Sequence, residues 1–186
     1  MLVSQENILG LIPQRYPMVM IDSLISCDEK QVVSRLLVRR DNLFLDGHGL
    51  TSEGIMEAMA QTAAARTGYL LKNQPDGSNK KIPIGVIGSI KNFRLFFQPA
   101  VGSAIVTTVN IEYEVLQATV VKGRVEVDGK LAAESDLQIF LTDKCNLRRH
   151  LNRLRKYSKH QFLHDLCPLT RLLLYGLQKP HHHAYK

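Results

Sequence analysis

The stretch DGHGLTSEGIMEAMAQ, residues 46–61, decides the fold because it leads into a helix that is apolar on almost every side. Ser52 is a suitable N-cap, and Glu53 is a favourable anion for the first turn. We therefore expect a helix that begins near Glu53 and ends at about Leu71.

The composition of this helix determines what must surround it. Between residues 55 and 71 the only formally charged side chains are Glu57 and Arg66. A helix that is apolar all round must be covered all round, and a sheet is the economical cover. Glu57 is then either a solvated glutamate on an exposed face or a carboxylate kept inside because chemistry needs it. Its apolar neighbours favour the second interpretation.

The rest of the first 142 residues supplies the sheet. Stretches rich in β-branched residues and stretches with alternating polarity both indicate strands, and Asp128-Gly129 predicts a two-residue hairpin turn between the last two. The predicted extended segments are residues 18–25, 32–38, 82–97, 104–116, 119–127 and 130–142. Together they predict an α+β architecture with a long antiparallel sheet wrapped around the central helix.

Charge divides the chain into two parts. Residues 1–142 hold 14 Lys and Arg against 15 Asp and Glu, a net charge of −1, whereas residues 143–186 hold 10 against 2, a net charge of +8. We predict one domain over residues 1–142 and a basic extension over 143–186. Three cysteines with no C-x-x-C pair argue against a disulfide framework, and no leader or membrane-spanning stretch is visible, so a cytoplasmic location is expected.

Two motifs resemble a known family. The segment Leu11–Asp22, LIPQRYPMVMID, resembles the opening motif of the β-hydroxyacyl-acyl carrier protein dehydratases of the hot-dog fold. The segment Glu57–Gln61, EAMAQ, resembles the start of their central helix. The resemblance implies removal of water from a 3-hydroxyacyl thioester to give a trans-2-enoyl thioester in fatty-acid or polyene lipid biosynthesis, with no cofactor and no metal.

The resemblance also implies roles for four residues. Glu57 is the expected carboxylic acid, because burial can keep a glutamate protonated near pH 7. His48, which follows Gly47 as in the family, is the expected base, acting across a dimer interface. Gly54 is the expected backbone donor to the thioester oxygen, and Gln61 lies one turn after Glu57, where it can orient the acid or touch the substrate.

The loop between His48 and the helix departs from the usual family pattern. The family has Phe-Pro-Gly after its histidine and a second Pro-Gly before the helix, whereas Gly49-Leu50-Thr51-Ser52-Glu53-Gly54 stands here. This shorter loop resembles that of a divergent branch associated with aryl-polyene-type lipid pathways. For His48 two interpretations stay open: a catalytic base, and a loop residue beside flexible glycines with no catalytic duty.

The resemblance implies an acyl carrier protein as partner and a homodimer or an oligomer of dimers. Acyl carrier proteins are acidic, so a basic rim is expected on the enzyme. Two other functions stay open: an acyl-thioester hydrolase of the same fold, and a non-catalytic subunit that binds acyl carriers. The candidates for the basic rim are Arg39, Arg40, Lys80, Lys81, Lys91 and Arg94.

The basic tail lies outside the resemblance. Two sets of apolar residues recur at helical spacing among basic residues, which predicts one or two amphipathic helices: Leu147, Leu151 and Leu154, then Phe162, Leu163 and Leu166. The tail is a helix that binds a membrane surface or the carrier protein, an arm that binds nucleic acid, or an extension without a selected role. We expect no nucleic-acid partner, because that interpretation depends on the tail alone.

Overall fold

The fold is described from a computed structural model that covers residues 1–74, 82–116 and 118–142. Within these ranges no helix is both long enough and apolar enough to cross a membrane. The one or two helices predicted for the tail lie outside the described residues.

Two helices and six strands follow one another along the described chain. The first helix is short and the second is the long central helix. The elements are α1 (Gln5–Ile8), β1 (Ser23–Cys27), β2 (Gln31–Leu37), α2 (Ser52–Lys72), β3 (Ile84–Leu95), β4 (Ala104–Val115), β5 (Ala118–Val127) and β6 (Lys130–Thr142).

All six strands form one antiparallel sheet in the order β1-β2-β4-β5-β6-β3. Asp128 and Gly129 make the tight turn between β5 and β6, and both have positive φ angles, 49° and 75°, as the two central residues of a type I′ turn do. The predicted segment 82–97 is one strand, β3, with a shift in pairing between Ile87 and Ser89. The predicted α+β architecture is confirmed.

The central helix α2 approaches every strand of the sheet. Its buried residues lie on all sides, as its composition predicts. The side chain of Thr62 is within hydrogen-bond distance of Ser34 in β2 (2.7 Å between hydroxyl oxygens). Gly123 in β5 allows close packing, since a Cβ atom there would lie 2.6 Å from the sulfur of Met59. The sheet therefore encloses the helix that carries Glu57.

The helix begins one residue earlier than the sequence predicts. Thr51, not Ser52, is the N-cap, and its side chain accepts a hydrogen bond from the backbone N–H of Gly54. The N–H of Leu50 binds the carbonyl of Pro99 and the N–H of Thr51 binds the carbonyl of Phe44. These bonds keep Thr51 extended, so the first helical residue is the next one. The predicted cap at Ser52 is wrong for this reason.

The first strand is shorter than predicted. The sequence indicates an extended segment from residue 18, but β1 begins at Ser23. The backbone of Met18 and Met20 forms hydrogen bonds with the side chain of Gln61 in α2. The segment before Asp22 is thus held by the helix instead of by a neighbouring strand.

Arg66, the other buried charged residue of the helix, has a structural role. Its guanidinium donates to the carbonyl oxygens of Asp28 and Glu29 in the turn between β1 and β2. It also pairs with the carboxylate of Glu114 at 2.8 Å. Arg66 therefore fixes that turn to α2 and to β4.

The Leu11–Asp22 segment approaches the central helix most closely at Gly68. A Cβ atom at Gly68 would lie 2.1 Å from the carbonyl oxygen of Leu11. That contact is with backbone, which cannot turn aside as the end of a side chain can. Gly68 thus sets the distance between the segment and the helix.

We predict that Gly68→Ala destabilises the protein. Alanine favours a helix interior over glycine by about 1 kcal/mol, but the clash with Leu11 forces a backbone shift that costs about 1–3 kcal/mol. The clash should dominate and lower the free energy of unfolding in urea denaturation. Gly47→Ala is the matched control, because nothing lies within 4 Å of a Cβ atom there. Equal stability of the two variants would contradict the prediction.

Candidate active site

Glu57 is the centre of the candidate site. It lies in the second turn of α2 with no solvent-accessible surface, between the buried residues Met59 and Ile55 of the same helix. The sequence-based interpretation of Glu57 as an interior carboxylate agrees with this position. Its two oxygen atoms have different surroundings.

Oxygen Oε1 of Glu57 accepts two hydrogen bonds from side-chain amides. Gln61 Nε2 donates at 2.7 Å and Gln14 Nε2 donates at 3.3 Å. Oxygen Oε2 is buried and has no hydrogen-bond partner among the described residues. A buried polar atom left unbound costs about 1–3 kcal/mol, so the site keeps Oε2 unbound at a loss of stability.

Burial raises the pKa of Glu57 from 4.5 to about 7, and the hydrogen bonds from Gln61 and Gln14 oppose that rise. Desolvation dominates because a carboxylate without water around it has lost most of its solvation, and two neutral amides replace only part of it. Near neutral pH the side chain therefore exists partly as the carboxylic acid, which can donate a proton.

Gln61 is held so firmly that its amide can point in only one direction. Its Oε1 accepts a hydrogen bond from the backbone N–H of Met20 (2.7 Å). Its Nε2 donates to the carbonyl of Met18 (2.6 Å) and to Glu57. The acceptor and both donor hydrogens have partners, so the donor side faces Glu57. Gln61 thus orients the carboxyl group and fixes the Leu11–Asp22 segment to the helix.

Gln14 is a site residue that the sequence-based assignment missed. It is 8% exposed, and while its Nε2 reaches Glu57, its Oε1 is buried with no hydrogen-bond partner among the described residues. The guanidinium of Arg15 donates to the carbonyls of Ile12 and Gln14 and so holds the local backbone. The feature of the sequence that could have identified Gln14 was its position inside the Leu11–Asp22 motif.

His48 lies apart from Glu57, on the exposed loop before α2. A bridge between Leu45 and Leu50 closes this loop, and Asp46 accepts hydrogen bonds from the backbone N–H groups of His48 (2.8 Å) and Gly49 (3.1 Å). The imidazole has no hydrogen bond to any described residue, and the structure does not bring it into contact with Glu57. His48 is therefore presented to solvent on an ordered turn.

Gly54 lies at the start of α2 but is not part of the Glu57 network. Its N–H points to the Thr51 hydroxyl at 3.4 Å. A Cβ atom at this position would lie 2.7 Å from side-chain atoms of both Leu50 and Phe44. Glycine here thus allows the loop to pack against the helix, and the weak capping contact leaves its N–H poorly bound.

The described residues therefore bring together Glu57, Gln61 and Gln14, and leave His48 and Gly54 outside that cluster. The cluster can hold a proton near neutral pH on a side chain that has no solvent-accessible surface. It can deliver that proton only from Oε2 of Glu57, because Oε1 already accepts two hydrogen bonds. This is the chemistry of a general acid.

Comparisons with known proteins give a family profile and similar enzymes. The profile of the ApeP-like family, described as ApeP dehydratase, matches residues 6–152. The 3-hydroxyacyl-[acyl-carrier-protein] dehydratase FabZ of Streptococcus pneumoniae is 30% identical over 141 residues, which are 73% of this chain and 96% of that protein. The enzyme of the same name from Ruminiclostridium cellulolyticum is 28% identical over 147 residues, 76% of this chain and 99% of that protein.

A solved structure shows the same fold. The dehydratase heterocomplex ApeI:P from Xenorhabdus doucetiae superposes with a TM-score of 0.68 and 19% sequence identity, over 78% of this chain and 97% of that one. The long antiparallel sheet around a central helix is the hot-dog fold, as the resemblance of the two motifs predicted.

We predict that Glu57 makes the stability of the protein depend on pH. Glu57 has a pKa of 4.5 in the unfolded chain and about 7 in the folded protein. At a pH between these values the unfolded chain has released the Glu57 proton, while the folded protein keeps it. The free energy of unfolding should therefore fall as pH rises through this window, by up to about 3 kcal/mol. Glu57→Gln should lack this contribution and gain stability relative to the wild type between about pH 4.5 and pH 7.

Urea denaturation at several pH values tests this expectation. Glu53→Gln is the matched control, since it removes a carboxylate one turn earlier on the same helix and should keep the wild-type pH dependence. Parallel stability curves for the wild type and Glu57→Gln would show that Glu57 is already ionised in the folded protein.

Proposed function

Because this chain belongs to the ApeP-like dehydratase family, we propose that it removes water from a 3-hydroxyacyl thioester carried by an acyl carrier protein and forms the trans-2-enoyl thioester. The observation that carries the proposal is Glu57, a buried carboxyl group whose pKa lies at about 7. A hydroxide is a poor leaving group, and a carboxylic acid that is protonated at neutral pH lets it leave as water.

The reaction needs one acid and one base. The base takes the proton from C2, and the electrons of that C–H bond form the double bond between C2 and C3. The bond between C3 and oxygen breaks with its electron pair on oxygen, which takes the proton from Oε2 of Glu57 and departs as water. The base then releases its proton and Glu57 takes one up once the product has left, which completes the cycle.

His48 is the proposed base. It is the only histidine among the described residues, and an imidazole is well suited to remove a proton at neutral pH. Its side chain is exposed and has no hydrogen bond that would compete with a substrate in the described part of the chain. Since it does not contact Glu57 of its own chain, we infer that the site joins His48 of one subunit with Glu57 of another.

Gly54 is the proposed donor to the thioester oxygen. Negative charge develops on that oxygen as the C2 proton leaves, and the N-terminus of a helix favours negative charge. The contact of its N–H with Thr51 is long, 3.4 Å, and a stronger acceptor can replace it. Gln61 orients Glu57 through its own fixed amide, so its proposed role is positioning.

The proposed assembly is a dimer through strand β3. This strand lies at the edge of the sheet and pairs with β6 on one side. The apolar side chains that end the strand and follow it, Leu95, Phe96 and Phe97, are 38%, 54% and 38% exposed. An unpaired strand edge beside exposed apolar side chains favours association with another strand. A second assembly, supported by the similarity to a dehydratase heterocomplex, pairs this chain with a different chain of the same fold.

The carrier protein is the proposed partner because of the reaction and because two of the predicted rim cations are exposed. Lys91 and Arg40 are exposed, and no salt bridge to a described residue involves either. Arg39 is less available, since it pairs with Asp22 at 2.9 Å. Lys80 and Lys81 lie outside the described residues. An acidic carrier would be attracted to Lys91 and Arg40.

We predict that the purified chain converts a 3-hydroxyacyl thioester of an acyl carrier protein to the enoyl product, followed by absorbance and mass spectrometry. Glu57→Gln should lower kcat by about 10²–10⁴-fold, because an amide cannot donate the proton. Glu53→Gln is the control and should keep most of the activity. Release of a free acid without enoyl product would identify a thioesterase instead.

We also predict that two inactive variants restore activity when they are combined. Glu57→Gln and His48→Ala should each be inactive, but a mixed dimer holds one intact site, so dimers formed at random should recover about a quarter of the wild-type activity. The variants are unfolded together, refolded and assayed. If mixed dimers form and stay inactive, His48 and Glu57 do not act across the interface.

A further inference from the structure

The cluster around Glu57 contains two buried polar atoms that no described residue satisfies. They are Oε2 of Glu57 and Oε1 of Gln14. Gln14 has no role in the dehydration steps proposed above. The two side chains already touch, through Nε2 of Gln14 and Oε1 of Glu57 at 3.3 Å. The two unbound atoms therefore belong to buried side chains that are hydrogen-bonded to each other.

The hydrogen bonds decide where the proton of Glu57 is. Oε1 accepts from Gln61 at 2.7 Å and from Gln14 at 3.3 Å, so it is occupied as an acceptor. A proton on Oε1 would face two N–H donors and be repelled by them. The carboxylic acid thus carries its proton on Oε2, and the pair of unbound atoms is one O–H donor and one amide acceptor.

If Gln14 had a purely structural role, we would expect its amide oxygen to have a hydrogen-bond partner, as that of Gln61 does. The carbonyl oxygen of the Gln61 amide has the N–H of Met20 as partner, and its nitrogen has two acceptors. Gln14 uses its donor side but leaves its acceptor unbound inside the protein. A buried amide oxygen without a hydrogen-bond partner is suited to accept a hydrogen bond from a ligand.

We propose that Gln14 binds the 3-hydroxyl group of the substrate: its Oε1 accepts the hydrogen bond from the hydroxyl hydrogen while Oε2 of Glu57 donates to the hydroxyl oxygen. This inference rests on the proposed dehydration. A hydroxyl group is both a donor and an acceptor, so it satisfies both unbound atoms at once. A 3-oxo group or a saturated carbon satisfies one or neither of them, and Gln14 is thereby a determinant of substrate choice.

The same two contacts fit the departing water. When the bond between C3 and oxygen breaks, the oxygen keeps its own hydrogen, which still binds Oε1 of Gln14, and gains the proton from Oε2 of Glu57. The product water then donates to both atoms, one on each side chain. Gln14 thus accompanies the oxygen from substrate to product without exchanging a proton itself.

The test compares two ligands on the full-length protein. The 3-hydroxyhexanoyl thioester of acyl carrier protein is the substrate, and the hexanoyl thioester, which has no hydroxyl, is a competitive inhibitor. Gln14→Met keeps the length of the side chain and removes both polar atoms. It should raise the KM for the hydroxylated thioester by about tenfold and leave the inhibition constant of the hexanoyl thioester unchanged.

Gln14→Glu provides a second variant that keeps an acceptor at the same position. It should retain the preference for the hydroxylated ligand, while the loss of the amide donor to Oε1 and the added carboxyl group should keep Glu57 protonated to higher pH. The alkaline fall of kcat should then move to higher pH. If Gln14→Met does not fold, Gln14→Glu alone tests the inference, through the ratio of the KM of the hydroxylated thioester to the inhibition constant of the hexanoyl thioester.

Two outcomes would overturn the inference: equal weakening of both ligands, which indicates a structural role, and no change in either ligand constant. Both outcomes are measured against a wild type that forms the enoyl product. A wild type that forms none refutes the proposed dehydration by this chain alone, so the two failures are distinguishable.

Discussion

The side-chain amide of Gln61 is the interaction on which the site depends. It accepts from the backbone of Met20, donates to the backbone of Met18 and donates to Glu57, so one residue of the central helix binds the Leu11–Asp22 segment and the acid together. Glu57 is held by a residue of its own helix, and Gln14 arrives from the attached segment. Gln14 adds a second, longer hydrogen bond between the segment and Glu57, at 3.3 Å against 2.7 Å for Gln61.

Burial, and not the charge of a neighbouring residue, raises the pKa of Glu57. The hydrogen bonds recorded for Glu57 are donated by neutral amides, and desolvation by the enclosing sheet outweighs them in setting its pKa. Arg66, the other buried charged residue of the helix, has a carboxylate and two carbonyl oxygens as hydrogen-bond partners. The charge of Arg66 is satisfied and serves the fold, whereas the carboxyl group of Glu57 keeps one oxygen without a partner, as the proposed acid requires.

Much of the architecture could be predicted from the sequence, because it follows from periodicity and composition. The apolar helix required a cover, alternating residues supplied strands, and Asp128-Gly129 specified its turn. The errors arose where tertiary contacts override local preference: Thr51 became the cap because bonds to Phe44 and Pro99 hold the loop, and Met18 left the first strand because Gln61 binds it. Gln14 was missed since its partner is 43 residues away in sequence, and no local pattern reports such a contact.

The isolation of the His48 side chain has a consequence for how such proteins diverge. Its imidazole has no hydrogen bond to any described residue, while the loop is shaped by Asp46, Gly49 and the bridge between Leu45 and Leu50. Natural selection can therefore preserve or discard the histidine without disturbing folding. Glu57, in contrast, is buried and accepts hydrogen bonds from Gln61 and Gln14. After gene duplication, one copy can lose its base, remain a well-folded subunit and become committed to a partner that still supplies one.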